Sequence, residues 1–146
     1  MQEPISVETE ESLNNLNKQI GGIHSKVVIV RFKMNGCVHC VNSQPIWDNT
    51  TTHLKKVYSL SPNTILAQID SSLSEEFINQ HHIVTKDNQP YVTNGFPEHV
   101  VIINGKAISQ GTTVPTIPQL LKEKYVRKKT KKTKKKKNKK KKSKKN

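Results

Sequence analysis

Val27-Val28-Ile29-Val30-Arg31-Phe32-Lys33-Met34-Asn35-Gly36-Cys37-Val38-His39-Cys40 decides the fold of this chain. Apart from Arg31, its first six residues are β-branched or aromatic. Such a nearly continuous run is expected of a strand buried on both faces. Its last five residues hold both cysteines of the protein, two residues apart. The first thiol therefore falls where a strand hands over to a helix, the edge at which chemistry gathers in open α/β sheets. A pair at this spacing can close as a disulfide, open a zinc site, or be buried as two small apolar residues.

Downstream, the pattern from Val38 to about Tyr58 is helical, with Trp47, Leu54, Val57 and Tyr58 as core candidates. Pro45 is expected to kink or restart that helix, because it removes a backbone donor and crowds the preceding turn. Residues 63–70 read as a second strand ending in Asp70. Ser72 or Ser74 then caps a short helix through Phe77, Ile78 and His81. Residues 85–95 are polar and read as a loop. The runs 99–103 and 106–110 flank Asn104-Gly105, a strong hairpin signal. A last helix is expected from Thr116 through Leu120, Leu121 and Tyr125. Upstream, residues 6–20 read as a helix with Leu13, Leu16 and Ile20 on one face and Glu8, Glu10 and Glu11 in its first turn.

Charge divides the chain in two. From Arg127 to Asn146, 15 of 20 residues are Lys or Arg, leaving ten basic residues against all eleven acidic ones in residues 1–126. The formal charge of +14 thus belongs to the tail. Without apolar residues to bury, residues 127–146 are expected to be disordered, and residues 1–126 to form one domain. Such a tail is either a solubilising extension or a tether that binds phosphates or an acidic surface without reading sequence, and no aromatic follows Tyr125 to stack on a base. No apolar run is long enough to span a membrane. The N-terminus lacks the basic and apolar regions of a cleaved signal, so an intracellular protein is expected, cytoplasmic or nuclear. Richness in Lys, Asn and Ile is compatible with an AT-rich genome such as that of a large DNA virus, in which case packaging in a virion is a further expectation.

In this setting a thiol at a helix N-terminus is stabilised as thiolate, with its pKa drawn from about 8.5 toward roughly 3.5–7.5. Cys37 is placed to attack, and Cys40, one turn inside, to resolve a mixed disulfide. An imidazole at His39 favours the thiolate further. Zinc needs two more ligands and no second Cys-x-x-Cys exists, so metal ranks behind redox chemistry and inert thiols. His24, His53 and His99 are read as surface or packing residues. His81 and His82 are read as a helix end, one half-buried and one wet.

The chain resembles the thioredoxin family over about residues 24–125. Cys37-Val38-His39-Cys40 matches its redox pair, Pro45 its helix proline, and Asp70 the acid that ends its second strand. Tyr91-Val92-Thr93-Asn94-Gly95-Phe96-Pro97 matches the segment leading into its cis-proline. The resemblance implies an α/β thioredoxin fold, a central mixed β-sheet flanked by helices, followed here by the basic tail. It implies a redox-active Cys37–Cys40 disulfide with no other cofactor, protein thiol and disulfide substrates, and substrate binding by Pro97 and Phe96, beside Gly36 and Val38.

Three departures qualify the expected activity. Gly36 stands where the family has tryptophan. His39 follows the disulfide isomerase pattern, favouring a potential nearer about −180 mV than about −270 mV. Arg31 stands where the family keeps a buried acid, which argues against fast turnover. Asp70 and Pro97 are also 27 positions apart, longer than the family spacing, with the excess near His81 to Gln89. That insertion either selects a partner beside the site or lengthens a helix and loop. Arg31 and Gly36 support an alternative, a non-catalytic binding module anchored by its tail to nucleic acid or another acidic partner.

Overall fold

The computed structural model describes residues 4–59, 63–115 and 127–128. The expected strand is β2 (Val27–Lys33), and it lies inside the sheet. It pairs parallel with β4 (Thr64–Asp70) and antiparallel with β6 (Glu98–Ile103). Strand β1 (Ile5–Val7) extends the sheet beyond β4, while β7 (Lys106–Gly111) and β5 (Val84–Thr85) extend it beyond β6, giving the order β1-β4-β2-β6-β7-β5.

Side chains alternate across this sheet, so each strand feeds two cores. On one face Val28, Val30, Phe32, Ile65, Ala67, Ile69, Val100 and Ile102 meet α1 (Glu10–Ile20) and α3 (Ser71–Gln80) through Leu13, Leu16, Ile20, Leu73 and Phe77. On the other, Ile29, Leu66 and Val101 meet Trp47 and Leu54 of α2 (Val38–Val57). That second face also carries a polar row. Gln68, Arg31 and His99 are direct neighbours across β4, β2 and β6.

Several expectations need correction. The first helix begins at Glu10, because Thr9 caps it by accepting from the Ser12 N–H at 3.1 Å. Ile5 and Val7 are instead drawn into β1 against Ala67 and Ile69. Pro45 does not restart the helix, since α2 runs through it to Val57. Tyr58 leaves that helix for β3 (Tyr58–Ser59). The cap of α3 is Asp70 itself, whose carboxylate accepts from the Ser72 N–H at 3.1 Å and from its hydroxyl at 2.6 Å. Within the stretch read as a loop, β5 pairs parallel with Lys106 and Ala107 and Thr85 N–H closes a turn onto Gln89 O.

Strand β5 therefore borders the Asn104-Gly105 turn, at the end of the sheet where β2 begins. The cysteines follow the opposite end of β2, so this part of the insertion covers an edge instead of bordering the pair. Asn104 and Gly105 have φ of 53° and 76°, as a tight hairpin turn requires. His81 ends α3 with its Nε2 2.7 Å from Asn17 Oδ1, and His82 is exposed.

Arg127–Lys128, the first two residues of the expected tail, form a strand, β8, against β3. The helix expected from Thr116 and the rest of the tail lie outside the described residues. Among those described, no helix is long and apolar enough to cross a membrane.

His99, expected to be an ordinary residue, is 2% exposed, and neither ring nitrogen reaches a partner at normal hydrogen-bond geometry. Burial, then the Arg31 charge, push its pKa down to about 4, with nearby backbone at Gly111 and Thr112 offsetting part of the cost. The unfolded chain thus binds the His99 proton near 6.5 and the folded chain only near 4. Stability is accordingly predicted to fall as pH drops through that window, by roughly 3 kcal/mol from this residue. His81, also depressed by burial, adds to the same slope. Urea unfolding at pH 7, 5.5 and 4 should show the loss, and His99→Gln should flatten it.

Candidate active site

The cysteine pair is built by the end of β2. After Lys33 the chain turns at Gly36, whose φ of 75° suits glycine. Helix α2 then starts, with Val41 N–H donating to Cys37 O at 3.0 Å. Cys37 consequently occupies the cap position, where its sulfur accepts the Cys40 N–H at 3.1 Å. An oxygen usually fills this role, and here a sulfur receives the same orphan donors.

Both cysteines are free, Cys37 half-buried and Cys40 buried. The Cys37 thiol pKa is lowered from its ordinary value. A hydrogen bond from the Cys40 side chain is the main cause, followed by the backbone N–H groups of Cys40 and His39 and the Arg31 charge, while burial works against them. The Cys40 thiol is pushed up, first by burial and then by its bond to Cys37. The Met34 N–H at 3.4 Å from Cys40 Sγ offsets part of that rise. Two chemically equal thiols are thereby split, one lowered and one raised.

The second motif, 59 positions away, meets the first directly: Cys37 Sγ lies 3.5 Å from Phe96 O. The Phe96–Pro97 peptide bond is cis and Pro97 is buried. Tyr91 and Glu98 hold this loop in shape. The Tyr91 hydroxyl donates to Glu98 Oε2, and the Asn94 N–H donates to Glu98 Oε1 at 3.1 Å. Burial and that carboxylate push the Tyr91 hydroxyl upward, so it serves as a donor at any ordinary pH.

His39, Ile46, Phe96, Pro97, Thr113 and Val114 border an open groove of about 460 Å³ beside the pair. Asn42, Ser43 and Thr112 line it as well, and Val38, next to Cys37 in the chain, is 69% exposed. Gly36 sits exposed at the turn beside Cys37. His39 is exposed on the groove wall, and its ring makes no hydrogen bond with either sulfur, so its contribution at Cys37 comes from its backbone N–H.

Beneath the pair, Arg31 is fully buried. Its Nη2 donates to Cys40 O and Ser43 Oγ, each at 2.7 Å, and its Nη1 donates to Gln68 Oε1 at 3.1 Å and Gln44 Oε1 at 3.3 Å. Sequence reasoning did not foresee this fork or the Tyr91–Glu98 clamp. A signal existed for the fork: Arg31 interrupts an apolar run in β2 and Gln68 one in β4, and the pairing aligns both with His99. Among the described residues no group of three or more His, Cys, Asp or Glu side chains is arranged to hold a metal.

No family model matches the chain, and no curated protein does. Solved structures do match. A reduced thioredoxin pre-protein from Schistosoma mansoni is 19% identical, over 85% of this chain and 99% of that one, at a TM-score of 0.50. A Malassezia sympodialis thioredoxin is 15% identical over 86% and 92%, at 0.51. A thioredoxin variant from Halobacterium salinarum is 18% identical over 84% and 90%, at 0.50. This chain has the thioredoxin fold.

Two measurements check this geometry. Alkylation followed by mass spectrometry across pH should show Cys37 reacting with a midpoint below about 8.5 and Cys40 well above it; one shared midpoint near that value would contradict the asymmetry. Gly36→Ala should cost about 1–2 kcal/mol of stability, read by urea denaturation, because a side chain must adopt the left-handed region there.

Proposed function

We propose that the chain is a thiol–disulfide oxidoreductase acting on protein substrates. The supporting observation is the meeting of Cys37 Sγ with both the Cys40 N–H and the Phe96 carbonyl. A thiolate held there faces the groove, where an extended peptide can lie along Phe96 and Pro97. Cys37 attacks a substrate disulfide, and the released substrate sulfur leaves as thiolate. Cys40 then attacks Cys37 Sγ, freeing the second substrate sulfur and closing the Cys37–Cys40 disulfide. The reverse sequence donates that disulfide to a substrate dithiol. Val38 and His39 border the incoming chain, and Gly36 leaves access to the sulfur open.

In this reading residues 129–146 act as an electrostatic tether to nucleic acid or another polyanion, independent of the thiol chemistry. The competing reading, an adaptor that uses the fold without chemistry, does not require a lowered Cys37 thiol or its apposition to Phe96.

Insulin reduction and oxidative refolding should proceed with the full chain and fall to background with Cys37→Ser; equal rates for the two proteins would refute the assignment. Removing residues 129–146, which keeps β8, should abolish retention on heparin or DNA columns at low salt and leave the insulin assay unchanged. Retention surviving that deletion would place the polyanion surface within the domain.

A further inference from the structure

Arg31 is the one buried Lys or Arg among the described residues. Its partners are a carbonyl, a hydroxyl and two amide oxygens, all neutral, and its Nε has none. Among the described residues no carboxylate pairs with it. Glu98 is committed to Tyr91 and Asn94, and Asp70 to the cap of α3. Asp48 makes no ion pair with it: Gln44 Nε2 donates to Asp48 Oδ1 at 3.1 Å, and the Asp48 charge acts on Arg31 from beyond that bond. His99, alongside on β6, holds no charge near neutral pH. A cation taken out of water without a directly paired counter-ion is costly, and burial accordingly lowers the Arg31 pKa. The fork aims this one at the first turn of α2, through the carbonyl of Cys40 itself.

We infer that Arg31 is a positioning residue that serves as fixed counter-ion to the negative charge appearing on the Cys37–Cys40 pair when it is reduced, making the chain a disulfide donor to reduced proteins. The inference rests on the exchange activity proposed above and gives it a direction. In the donor reaction a substrate thiolate attacks Cys37 Sγ. A substrate–Cys37 bond forms, the Cys37–Cys40 bond breaks, and its electron pair leaves on Cys40 as thiolate. A second substrate thiolate then attacks the substrate sulfur of the mixed disulfide, and Cys37 leaves with its electron pair.

The substrate loses two electrons and two protons. The pair gains both electrons and keeps one proton between its sulfurs, and the other proton goes to solvent. The oxidised pair carries no charge and the reduced pair carries one. A fixed cation therefore stabilises only the reduced side, and it also stabilises the leaving thiolate on Cys40.

Equilibration of the full chain with reduced and oxidised glutathione, with the Cys37–Cys40 disulfide counted by alkylation and mass, tests the inference. Arg31→Gln is expected to shift the equilibrium at least tenfold toward the disulfide, about 30 mV for two electrons, and to raise the midpoint of the Cys37 thiolate absorbance. Arg31→Lys should restore most of both, because charge, not the fork, is the agent. Gln44→Glu provides a route that leaves Arg31 in place, supplying the missing carboxylate and shifting the equilibrium the same way. Trp47 fluorescence verifies that each variant folds.

An unmoved equilibrium in both Arg31→Gln and Gln44→Glu overturns the inference while leaving the exchange activity standing. Arg31→Lys behaving like Arg31→Gln overturns it too, by making the role one of scaffolding. A wild-type pair that forms no disulfide at any glutathione ratio removes the proposed function and the inference together.

Discussion

The burial of Val27–Lys33 between two strands is the constraint from which the rest follows. Hydrogen-bonded to β4 on one side and β6 on the other, β2 cannot slip without moving its apolar side chains to the wrong faces. Its end is consequently a fixed point. Gly36 turns the chain there, Cys37 becomes the cap of α2, and Cys40 falls one turn inside. Antiparallel pairing with β6 brings the start of that strand to the same end of the sheet. Phe96 and Pro97, just before Glu98, are thereby delivered to Cys37 without any direct covalent tie.

The same register places one polar residue from each central strand under α2. Of the three, His99 is neutral, Gln68 is an acceptor, and Arg31 carries a charge whose hydrogen-bond partners are all neutral. The helix above turns this into chemistry. Backbone donors at its N-terminus act on Cys37 from one side and the guanidinium acts from below, while burial keeps the proton on Cys40. The two thiols are thus distinguished by position and not by residue type. The Tyr91–Glu98 clamp performs a different task, shaping the facing loop.

Much of this was legible in the residues. The β-branched run of β2, the 63–70 strand, the Asn104-Gly105 turn and the cysteine spacing all carry strong local signals, and Pro97 was visible through its family segment. Elements whose existence depends on a distant partner were not. Strand β1 has only three residues and exists because β4 offers an edge, and β5 has two and depends on β7. Asp70 caps α3 only because the strand ends where the helix starts. Pro45 suggested a break, yet packing of Trp47 and Leu54 holds α2 together across it. The sequence placed an imidazole beside the pair, whereas the backbone of His39 faces Cys37 and its ring faces the groove. Arg31 was visible as a departure, but its meaning required the register that sets it between Gln68 and His99.

The reduction potential of the Cys37–Cys40 pair in the full chain tests the account most directly. A lowered Cys37, a helix N-terminus and a buried cation with no directly paired carboxylate all favour the reduced form. They predict a reversible two-electron couple well above the roughly −270 mV of a reductase, nearer the roughly −180 mV of a disulfide isomerase. A couple at or below about −270 mV, or no two-electron couple at all, would contradict it.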